Sequence, residues 1–135
     1  MTRLVYDAGA LIAAERDDSR LWAMHLRALT RGIEPTVPAA VLAQVWRGHQ
    51  QRSLRRLIQG CEVVPLTQES ATWVGELLAI AGRADVVDAQ VVACCLQQGA
   101  TCVTSDRGDI AHLAEAARDS AWRGNTRWKV PIISL

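Results

Sequence analysis

Residues 85–110, DVVDAQVVACCLQQGATCVTSDRGDI, decide the fold of this chain. The stretch begins with a helix-like run that is apolar on nearly every side, and this run ends at Gly99. A short strand-like run, TCVTS, follows, and a second helix-like run, RGDIAHLAEAAR, comes after Asp106. A strand placed between two helices of this length is typical of a parallel sheet built from right-handed βαβ units.

The same alternation runs through the rest of the chain. Strand-like runs are predicted at RLVY (3–6), PTVP (35–38), CEVVPL (61–66) and VPIISL (130–135). Helix-like runs separate them, and no repeat, low-complexity stretch or linker interrupts the pattern. We therefore expect an α/β fold with a parallel sheet. At 135 residues the chain is most simply one domain, spanning 1–135.

Apolar spacing predicts the buried face of each helix, and polar residues predict the ends. In 17–32 the predicted stripe comprises Leu21, Trp22, His25, Leu26 and Leu29. A helix at 39–48 is expected to end at Gly48. In 67–83 Thr67 is the predicted N-cap, and the predicted buried face comprises Trp73, Leu77, Leu78 and Ile80.

Composition excludes several classes of protein. Hydrophobic residues make up 50% and charged residues 21%, which is typical of a globular domain. No apolar run reaches the roughly 18 residues of a membrane span. The apolar N-terminus is interrupted by Asp7, unlike a signal peptide, so we expect a cytoplasmic protein. The cysteines lack zinc-site spacing and are expected to be small buried hydrophobes, and the scattered histidines predict no metal site.

Aspartates lie where strand-like runs give way to helices, at Asp7, Asp85, Asp88, Asp106 and Asp109. In an open parallel sheet, ligands bind beyond the carboxyl ends of the strands. A single aspartate there is explained as a helix cap. Asp88 is not, because it lies one turn inside an apolar helix on the same face as Asp85, where a carboxylate needs a partner. Oxygen ligands without His or Cys select Mg²⁺ or Mn²⁺, which activate water for phosphodiester hydrolysis.

Four motifs in this order and spacing resemble the PIN domain family, in particular the VapC-type toxins of bacterial toxin–antitoxin pairs. They are YDAGALIA, PAAVLAQVWRG, VVDAQVVA and TSDRGDI, and the resemblance covers nearly the whole chain. It implies a three-layer α/β/α domain around a parallel sheet of four to five strands. It also implies a Mg²⁺-dependent ribonuclease, with Mn²⁺ as a substitute, which forms a homodimer and is inhibited by a small antitoxin.

The resemblance also implies the catalytic residues. Three family carboxylates, expected to be metal ligands, match Asp7, Asp88 and Asp106. The family usually has Glu at the remaining position, where this chain has Gln44. A glutamine coordinates Mg²⁺ through its carbonyl oxygen but carries no charge. Either the metal affinity is lower, or Asp85 and Asp109 compensate, and we favour Asp85 because it lies one turn from Asp88.

Two basic stretches are candidates for binding surfaces. WRGNTRWK (122–129) mixes cations with tryptophans, which can hold a nucleic-acid backbone and stack bases. Its cations Arg123, Arg127 and Lys129 are predicted to bind RNA, together with Arg107, which follows Asp106. RGHQQRSLRRL (47–57) is a second candidate for nucleic-acid contact. Alternatively it faces an antitoxin or a second copy through Trp46, Arg52 and Arg56, and exposure of Trp46 and Trp22 would favour this role. The alternative for both stretches is a solvated surface.

Two other function classes are open. With Gln44, the chain would be a non-cleaving PIN-like scaffold that binds RNA or a protein partner. A phosphoacceptor receiver domain also carries aspartates above a parallel sheet, but it requires a paired acidic motif after the first strand and a lysine at the end of a later one. Here Asp7 is followed by Ala8, and Lys129 is the only lysine, so the receiver class is disfavoured.

Overall fold

The computed structural model describes residues 3–126 and 128–135 of the chain. Within those ranges the strands are β1 (Leu4–Tyr6), β2 (Thr36–Pro38), β3 (Glu62–Val64), β4 (Thr101–Thr104) and β5 (Ile132–Ser134). The α-helices are α1 (Ala8–Glu15), α2 (Ser19–Thr30), α3 (Ala39–Val45), α4 (Arg52–Gln59), α5 (Gln68–Ala81), α6 (Val86–Gln98) and α7 (Arg107–Asp119). A short 3₁₀ turn covers Trp122–Gly124. The predicted alternation of strands and helices is confirmed.

The five strands form one parallel sheet in the order β3-β2-β1-β4-β5. The chain adds strands on one side of β1, then returns to add β4 and β5 on the other side. The order therefore reverses between β1 and β4, where Tyr6 pairs with Val103. Such a reversal opens a crevice beyond the carboxyl ends of the two strands, and this is where ligands bind in open α/β sheets.

Helices cover both faces of the sheet. On one side α1 packs against α2 and α4, and on the other α6 packs against α5 and α7. Both α1 and α6 contact the central strand β1. Right-handed crossovers account for this division, because the direction of strand addition changes at β1. The expected α/β/α architecture with a central parallel sheet is thus confirmed. Among the described residues, no helix has the length and apolar character that crossing a membrane requires.

The hydrophobic core is centred on α6 and the two central strands. Helix α6 is buried without a break from Ala89 to Cys95, as its all-round apolar sequence requires. Cys94, Cys95 and Cys102 are buried free thiols, and Cys61 is half-buried, so three of the four cysteines fill the core as expected. Packing of this kind leaves the ends of the strands, rather than their faces, available for chemistry.

Helix ends mostly follow the predicted residues. The Asp18 carboxylate accepts from the first turn of α2, and Thr67 forms a capping box at the start of α5. Gly99 ends α6 in the left-handed conformation, with φ of 63°, which a side chain would disfavour. The exception is α3, which ends at Val45, so the expected stop at Gly48 is wrong by one turn. Gly48 instead lies in the following loop.

Two predicted helix faces are rotated from the expected position. In α2 the buried residues are Leu21, His25 and Ala28, whereas Leu26 and Leu29 are exposed. The i, i+4, i+7 line faces the core because the His25 ring accepts or donates a hydrogen bond at 2.9 Å with the buried Tyr6 hydroxyl. In α5 the buried residues are Val74 and Leu77; Ile80 is exposed, and Trp73 and Leu78 are only half-buried.

The tryptophans expected at a binding surface are half-buried. Trp22 packs against the core and donates from Nε1 to the Ala14 carbonyl at 3.1 Å. The Arg56 guanidinium covers its ring, 4.5 Å from the centroid. Trp46 also packs against the core, with its ring edge-on to that of His49. Both indoles are therefore partly covered, Trp22 by the core and the Arg56 guanidinium and Trp46 by the core and the His49 ring.

Candidate metal centre

Asp7 lies at the crevice between β1 and β4, directly after the last residue of β1. It caps α1, because its Oδ1 accepts from the Gly9 N–H at 2.9 Å. Its Oδ2 accepts from the hydroxyl of Thr104, the last residue of β4. The side chain is 5% exposed, and this burial raises the pKa of Asp7, while the two hydrogen bonds lower it.

Thr104 connects Asp7 to the next helix. Its hydroxyl oxygen accepts from the Asp106 N–H at 2.8 Å. Asp106 in turn caps α7 by accepting from the Asp109 N–H at 3.5 Å. A buried β-branched residue at the end of a strand thus fixes the positions of two aspartates that differ by about a hundred positions in the chain. Asp106 and Asp109 are both exposed.

The second pair of aspartates begins α6. Asp85 is the N-cap and accepts from the Asp88 N–H at 3.0 Å. Asp88 lies one turn inside the helix and is half-buried. Burial, and then the charges of Asp85, Asp7, Asp106 and Asp109, raise the pKa of Asp88 to about 7. The predicted i, i+3 relationship on one helix face is confirmed.

Asp88, Asp106 and Asp109 form a compact cluster from two helices. Each offers a carboxylate oxygen, and these oxygens lie within 4.8 Å of one another. A hydrogen bond with the Asp106 side chain and the charge of that carboxylate raise the pKa of Asp109, whereas the nearby Arg83 guanidinium lowers it. Among residues 3–126 and 128–135 there is one ion pair, between Arg118 and Asp119. No cationic side chain in these ranges therefore forms an ion pair with the aspartates of the cluster.

This donor set fits a divalent cation. The ligand atoms that the cluster offers are all carboxylate oxygens, and two of its three carboxylates are exposed, leaving room for water and a phosphate oxygen. A cavity of about 160 Å³ opens beside it, lined by Arg83, Asp85, Asp88, Asp109 and Leu113. Carboxylates that raise each other's pKa are stabilised by a positive ion, which removes the repulsion between them. Mg²⁺ and Mn²⁺ have the preference for oxygen that the site requires.

A comparison with protein families agrees with this geometry. The family description "PIN domain" matches residues 4–116, which is most of the chain. The chain belongs to the PIN domain family. PIN domains are typically metal-dependent nucleases and usually bind divalent metals.

The PIN fold is also shared with a solved structure. The crystal structure of PAE2754 from Pyrobaculum aerophilum matches with a TM-score of 0.56 and 16% sequence identity. The match covers 85% of this chain and 79% of that chain. At this identity the likeness shows a common fold alone. No curated protein matches the chain at a significant level.

Gln44, which the sequence resemblance predicts to replace a family glutamate, lies outside the three-carboxylate cluster. It is exposed and lines a separate cavity of about 330 Å³ with Ala8, Ile12 and Glu15. Glu15 is the acidic residue of that cavity, and its carboxylate accepts from the Leu54 N–H at 2.7 Å. One oxygen of the Glu15 carboxylate is thus engaged by the first turn of α4, and Glu15 is not part of the three-carboxylate cluster.

Compensation for Gln44 has a definite geometric candidate. Asp109, rather than Asp85, joins Asp88 and Asp106 in the cluster. Asp85 lines the adjacent cavity and caps α6. The sequence favoured Asp85 because it lies one turn from Asp88 on the same helix. Asp109 lies near Asp88 because the N-termini of α6 and α7 converge. This tertiary contact cannot be derived from the spacing of residues along one helix.

The predicted RNA-binding cations divide into two locations. Arg107 and Lys129 line a cavity of about 210 Å³ together with Arg118, which the sequence did not single out. Arg123 lies elsewhere, with its guanidinium 3.8 Å from the centroid of the Trp73 ring. Arg127 lies outside the described residues. On the other face of the molecule, the predicted partner residues Arg52 and Arg56 are exposed on α4.

Other residues of the site were absent from the sequence prediction. Thr104 and Arg83 contribute a hydrogen bond and a positive charge, respectively. Gly9 allows α1 to approach the end of β4, because a Cβ at that position would lie 2.8 Å from the Ser105 backbone nitrogen. A glycine two residues after the first aspartate was a visible signal of this close approach. Thr104 had no such signal.

Proposed function

We propose that this PIN domain is a Mg²⁺-dependent endoribonuclease, with Mn²⁺ as a substitute, and that it hydrolyses RNA phosphodiester bonds by metal-activated water. The observation that carries the proposal is the cluster of Asp88, Asp106 and Asp109 at the crevice where the strand order reverses. We assign the catalytic role to Asp7, Asp88 and Asp106. Asp85 and Asp109 complete the acidic environment and add charge that Gln44 does not supply.

The residues of the chain have distinct roles in this proposal. When bound, Mg²⁺ would supply an activated water and stabilise the charge that develops on the leaving oxygen. Asp88, Asp106 and Asp109 would hold it. Asp7 is fixed by its hydrogen bonds with Gly9 and Thr104, so its orientation changes little between free and bound states. The raised pKa of Asp88 means that this carboxyl exchanges a proton for the cation near neutral pH.

We further propose that the protein is the toxin of a type II toxin–antitoxin pair, acting in the cytoplasm as a homodimer and inhibited by its cognate antitoxin. The order of the sequence motifs supports this finer assignment. Exposed Arg52 and Arg56 on α4 offer positive charge to a partner, with the half-buried Trp46 nearby in the chain. A single domain spanning 1–135 is supported by β5, which pairs with β4 and so joins the last residues to the sheet.

A second candidate function is a PIN scaffold that binds RNA or a protein without cleaving. The specific observation in its favour is Gln44, an uncharged side chain at a position where a carboxylate is expected and where the neighbouring Glu15 is engaged elsewhere. Loss of one ligand charge weakens binding of a hard cation. The two functions differ in turnover, not in fold.

The experiment that separates them is cleavage of a mixed structured-RNA pool by the purified protein in Mg²⁺ or Mn²⁺. For the nuclease, we expect cleavage that is lost on adding EDTA and lost in Asp88→Asn. Glu76→Gln is the matched control, because it removes one exposed negative charge on α5, outside the cluster. Activity that survives chelation would contradict the proposal.

Gln44→Glu tests the second candidate. If the wild-type protein is folded, binds RNA and does not cleave, whereas Gln44→Glu cleaves, the chain is a scaffold derived from a nuclease. If the wild-type protein cleaves and Gln44→Glu changes the rate only modestly, Asp109 supplies the missing charge.

A further inference from the structure

We propose that the cavity between α7 and the C-terminal segment binds one nucleotide of single-stranded RNA next to the scissile bond. This inference rests on the proposed ribonuclease function, because it adds a subsite to that active site. The cavity has a volume of about 210 Å³. The residues that carry the argument are Arg107, Ala111, Ala114, Arg118, Trp128 and Lys129.

One wall of the cavity is a single face of α7. Arg107, Ala111, Ala114 and Arg118 follow one another at helical spacing, so their side chains point the same way. On this face, the two alanines in the middle present small apolar side chains, and the two arginines lie at its ends. From Arg107 to Arg118 the helix extends about 16 Å. This wall therefore offers apolar contact between two positive charges.

The opposite wall carries the only exposed large aromatic side chain in the part of the chain that the structure describes. Trp128 is 37% exposed, whereas Trp122 nearby is 4% exposed. The backbone of Trp128 is held on both sides by Asn125, which accepts from its N–H at 3.2 Å and donates to its carbonyl at 3.4 Å. A fixed backbone with an exposed indole is suited to stacking, since little freedom is lost when a base binds.

The charge of the cavity suits a phosphate. Arg107, Arg118 and Lys129 face a single carboxylate, that of Glu115. Arg118 pairs with Asp119 only at 3.8 Å and at the surface, where such pairs contribute little. Arg107 is positioned by hydrogen bonds from one nitrogen to the Ile132 carbonyl and the Ser134 hydroxyl, at 3.3 and 3.4 Å. Its remaining N–H groups form no hydrogen bond among the described residues and are available to a phosphate.

The cavity and the proposed metal centre are both lined by residues of α7. Arg107 follows Asp106 directly and is the first residue of α7. Arg107 is thus the cation of the cavity that lies next to a cluster aspartate in the chain, and we place the bound nucleotide beside the scissile phosphate on this ground. Stacking on Trp128 requires an unpaired base, so the occupant is single-stranded rather than duplex RNA. An acidic peptide would use the three cations but would gain little from the indole.

The test uses full-length protein carrying Asp88→Asn, which is expected to bind RNA without cleaving it, and a short fluorescein-labelled single-stranded RNA in Mg²⁺. Fluorescence anisotropy should show about tenfold weaker binding for Trp128→Ala, and retention of most of the affinity for Trp128→Phe. Lys129→Ala should reduce the slope of log affinity against log salt by about one. Arg31→Ala, which removes an exposed cation after the end of α2, is the matched control and should change neither quantity.

The outcomes separate this inference from the proposed function. Unchanged affinity in Trp128→Ala and Lys129→Ala would overturn the inference, as would a complete absence of RNA binding. The inference would also be overturned if a labelled poly-glutamate peptide bound and lost affinity in Lys129→Ala, while the RNA did not bind. Cleavage by the protein with native Asp88 is measured separately. If the RNA is not cleaved but its binding depends on Trp128, the nuclease proposal is contradicted and the nucleotide site is supported. If the RNA is cleaved but its binding does not depend on Trp128, the nuclease proposal is supported and the nucleotide site is contradicted. Thermal melting of each variant establishes that it is folded.

Discussion

The hydroxyl of Thr104 donates a hydrogen bond to a carboxylate oxygen of Asp7, although the two residues are 97 positions apart in the chain. The same hydroxyl accepts from the Asp106 N–H at 2.8 Å. One small side chain therefore orients the buried aspartate and positions the start of α7. The metal centre proposed here depends on this residue as well as on the carboxylates.

Thr104→Val preserves the shape of the threonine and removes its hydrogen bonds. The pKa of Asp7 should rise further, because one of the two hydrogen bonds that lower it is lost. Mn²⁺ affinity at neutral pH should fall by about tenfold or more, as is usual when a partner of a metal ligand is removed. Isothermal titration calorimetry measures this directly. Thr104→Ser, which retains the hydroxyl, should bind Mn²⁺ nearly as the wild type does, and equal affinities for valine and threonine would contradict the role assigned to Thr104.

Gly9→Ala should destabilise the protein and disturb the site. The new Cβ would lie 2.7 Å from the Ser105 Cβ and 2.8 Å from the Ser105 nitrogen, so α1 or the end of β4 has to move. Overpacking of this kind costs about 1–3 kcal/mol in the free energy of unfolding. Gly75→Ala in α5 is the control, because no atom lies within 4 Å of its added Cβ. That substitution should raise stability by up to about 1 kcal/mol. Urea denaturation of both variants checks the contrast.

The metal-free protein should become more stable as the pH falls toward 5. Folding raises the pKa of Asp88 from 3.8 to about 7, so the folded state binds a proton more tightly than the unfolded state. The resulting stabilisation is present in full below about pH 4 and is lost as the pH rises through about 7. The raised pKa values of Asp7 and Asp109 act in the same direction.

Thermal melting in EDTA across this pH range measures the effect. After allowance for solvent screening of a half-buried group, we expect the melting temperature to be higher at pH 5 than at pH 8 by at least about 3 °C. Asp88→Asn should flatten the profile. Saturating Mn²⁺ should reverse its sign, because protons then compete with the ion. A melting temperature in EDTA that rises with pH would show that the carboxylates do not repel one another.

Arg83→Ala should strengthen cation binding. The guanidinium lowers the pKa of Asp109 from the edge of the cluster, and the same charge repels an incoming divalent ion. Above pH 8, where Asp88 with its pKa of about 7 is mostly ionised, Mn²⁺ affinity should rise by about threefold at low salt, and the gain should shrink at high salt. Arg83→Lys keeps the charge and should behave as the wild type. Weaker binding in Arg83→Ala at this pH would mean that Arg83 organises the cluster instead of opposing the ion.

Trp122 anchors the C-terminal segment to α5. It is 4% exposed, and its Nε1 donates to the Trp73 carbonyl at 3.2 Å. Trp122→Ala should cost about 3–5 kcal/mol. Trp122→Phe keeps most of the buried area and should cost about 1–3 kcal/mol, mainly through the carbonyl left unpaired. Chemical denaturation gives both values, and equal losses would indicate that the hydrogen bond dominates.

Much of the fold could be predicted from local signals. Glycines and capping residues marked the helix ends because they act through the backbone within a few positions, as Gly99 and Thr67 do. The order of the strands could not be derived in the same way, because parallel pairing depends on packing between distant segments. The degree of burial of Trp22 could not be predicted, because periodicity indicates the direction of a side chain but not how far Arg56 and the Ala14 carbonyl cover it.

The candidate site, too, could be predicted only in part from the sequence. The i, i+3 spacing of Asp85 and Asp88 is a property of one helix, so it could be predicted from the sequence. The approach of Asp109 to Asp88 joins α7 to α6 and depends on how the two helices converge. Thr104 could not be identified, because a threonine at the end of a strand is ordinary until its partner across the sheet is known.

The position of β4 beside β1 has a consequence for biosynthesis. A chain that grows from its N-terminus makes β1, β2 and β3 first, and one edge of β1 has no partner until residues 101–104 have been made. Asp7 meanwhile lacks the Thr104 hydroxyl, and Asp88 lacks both aspartates of α7. A ribosome-bound fragment therefore has an open sheet edge and an incomplete acidic centre. The enzyme proposed here would complete its acidic centre only after residues 101–109 have been synthesised.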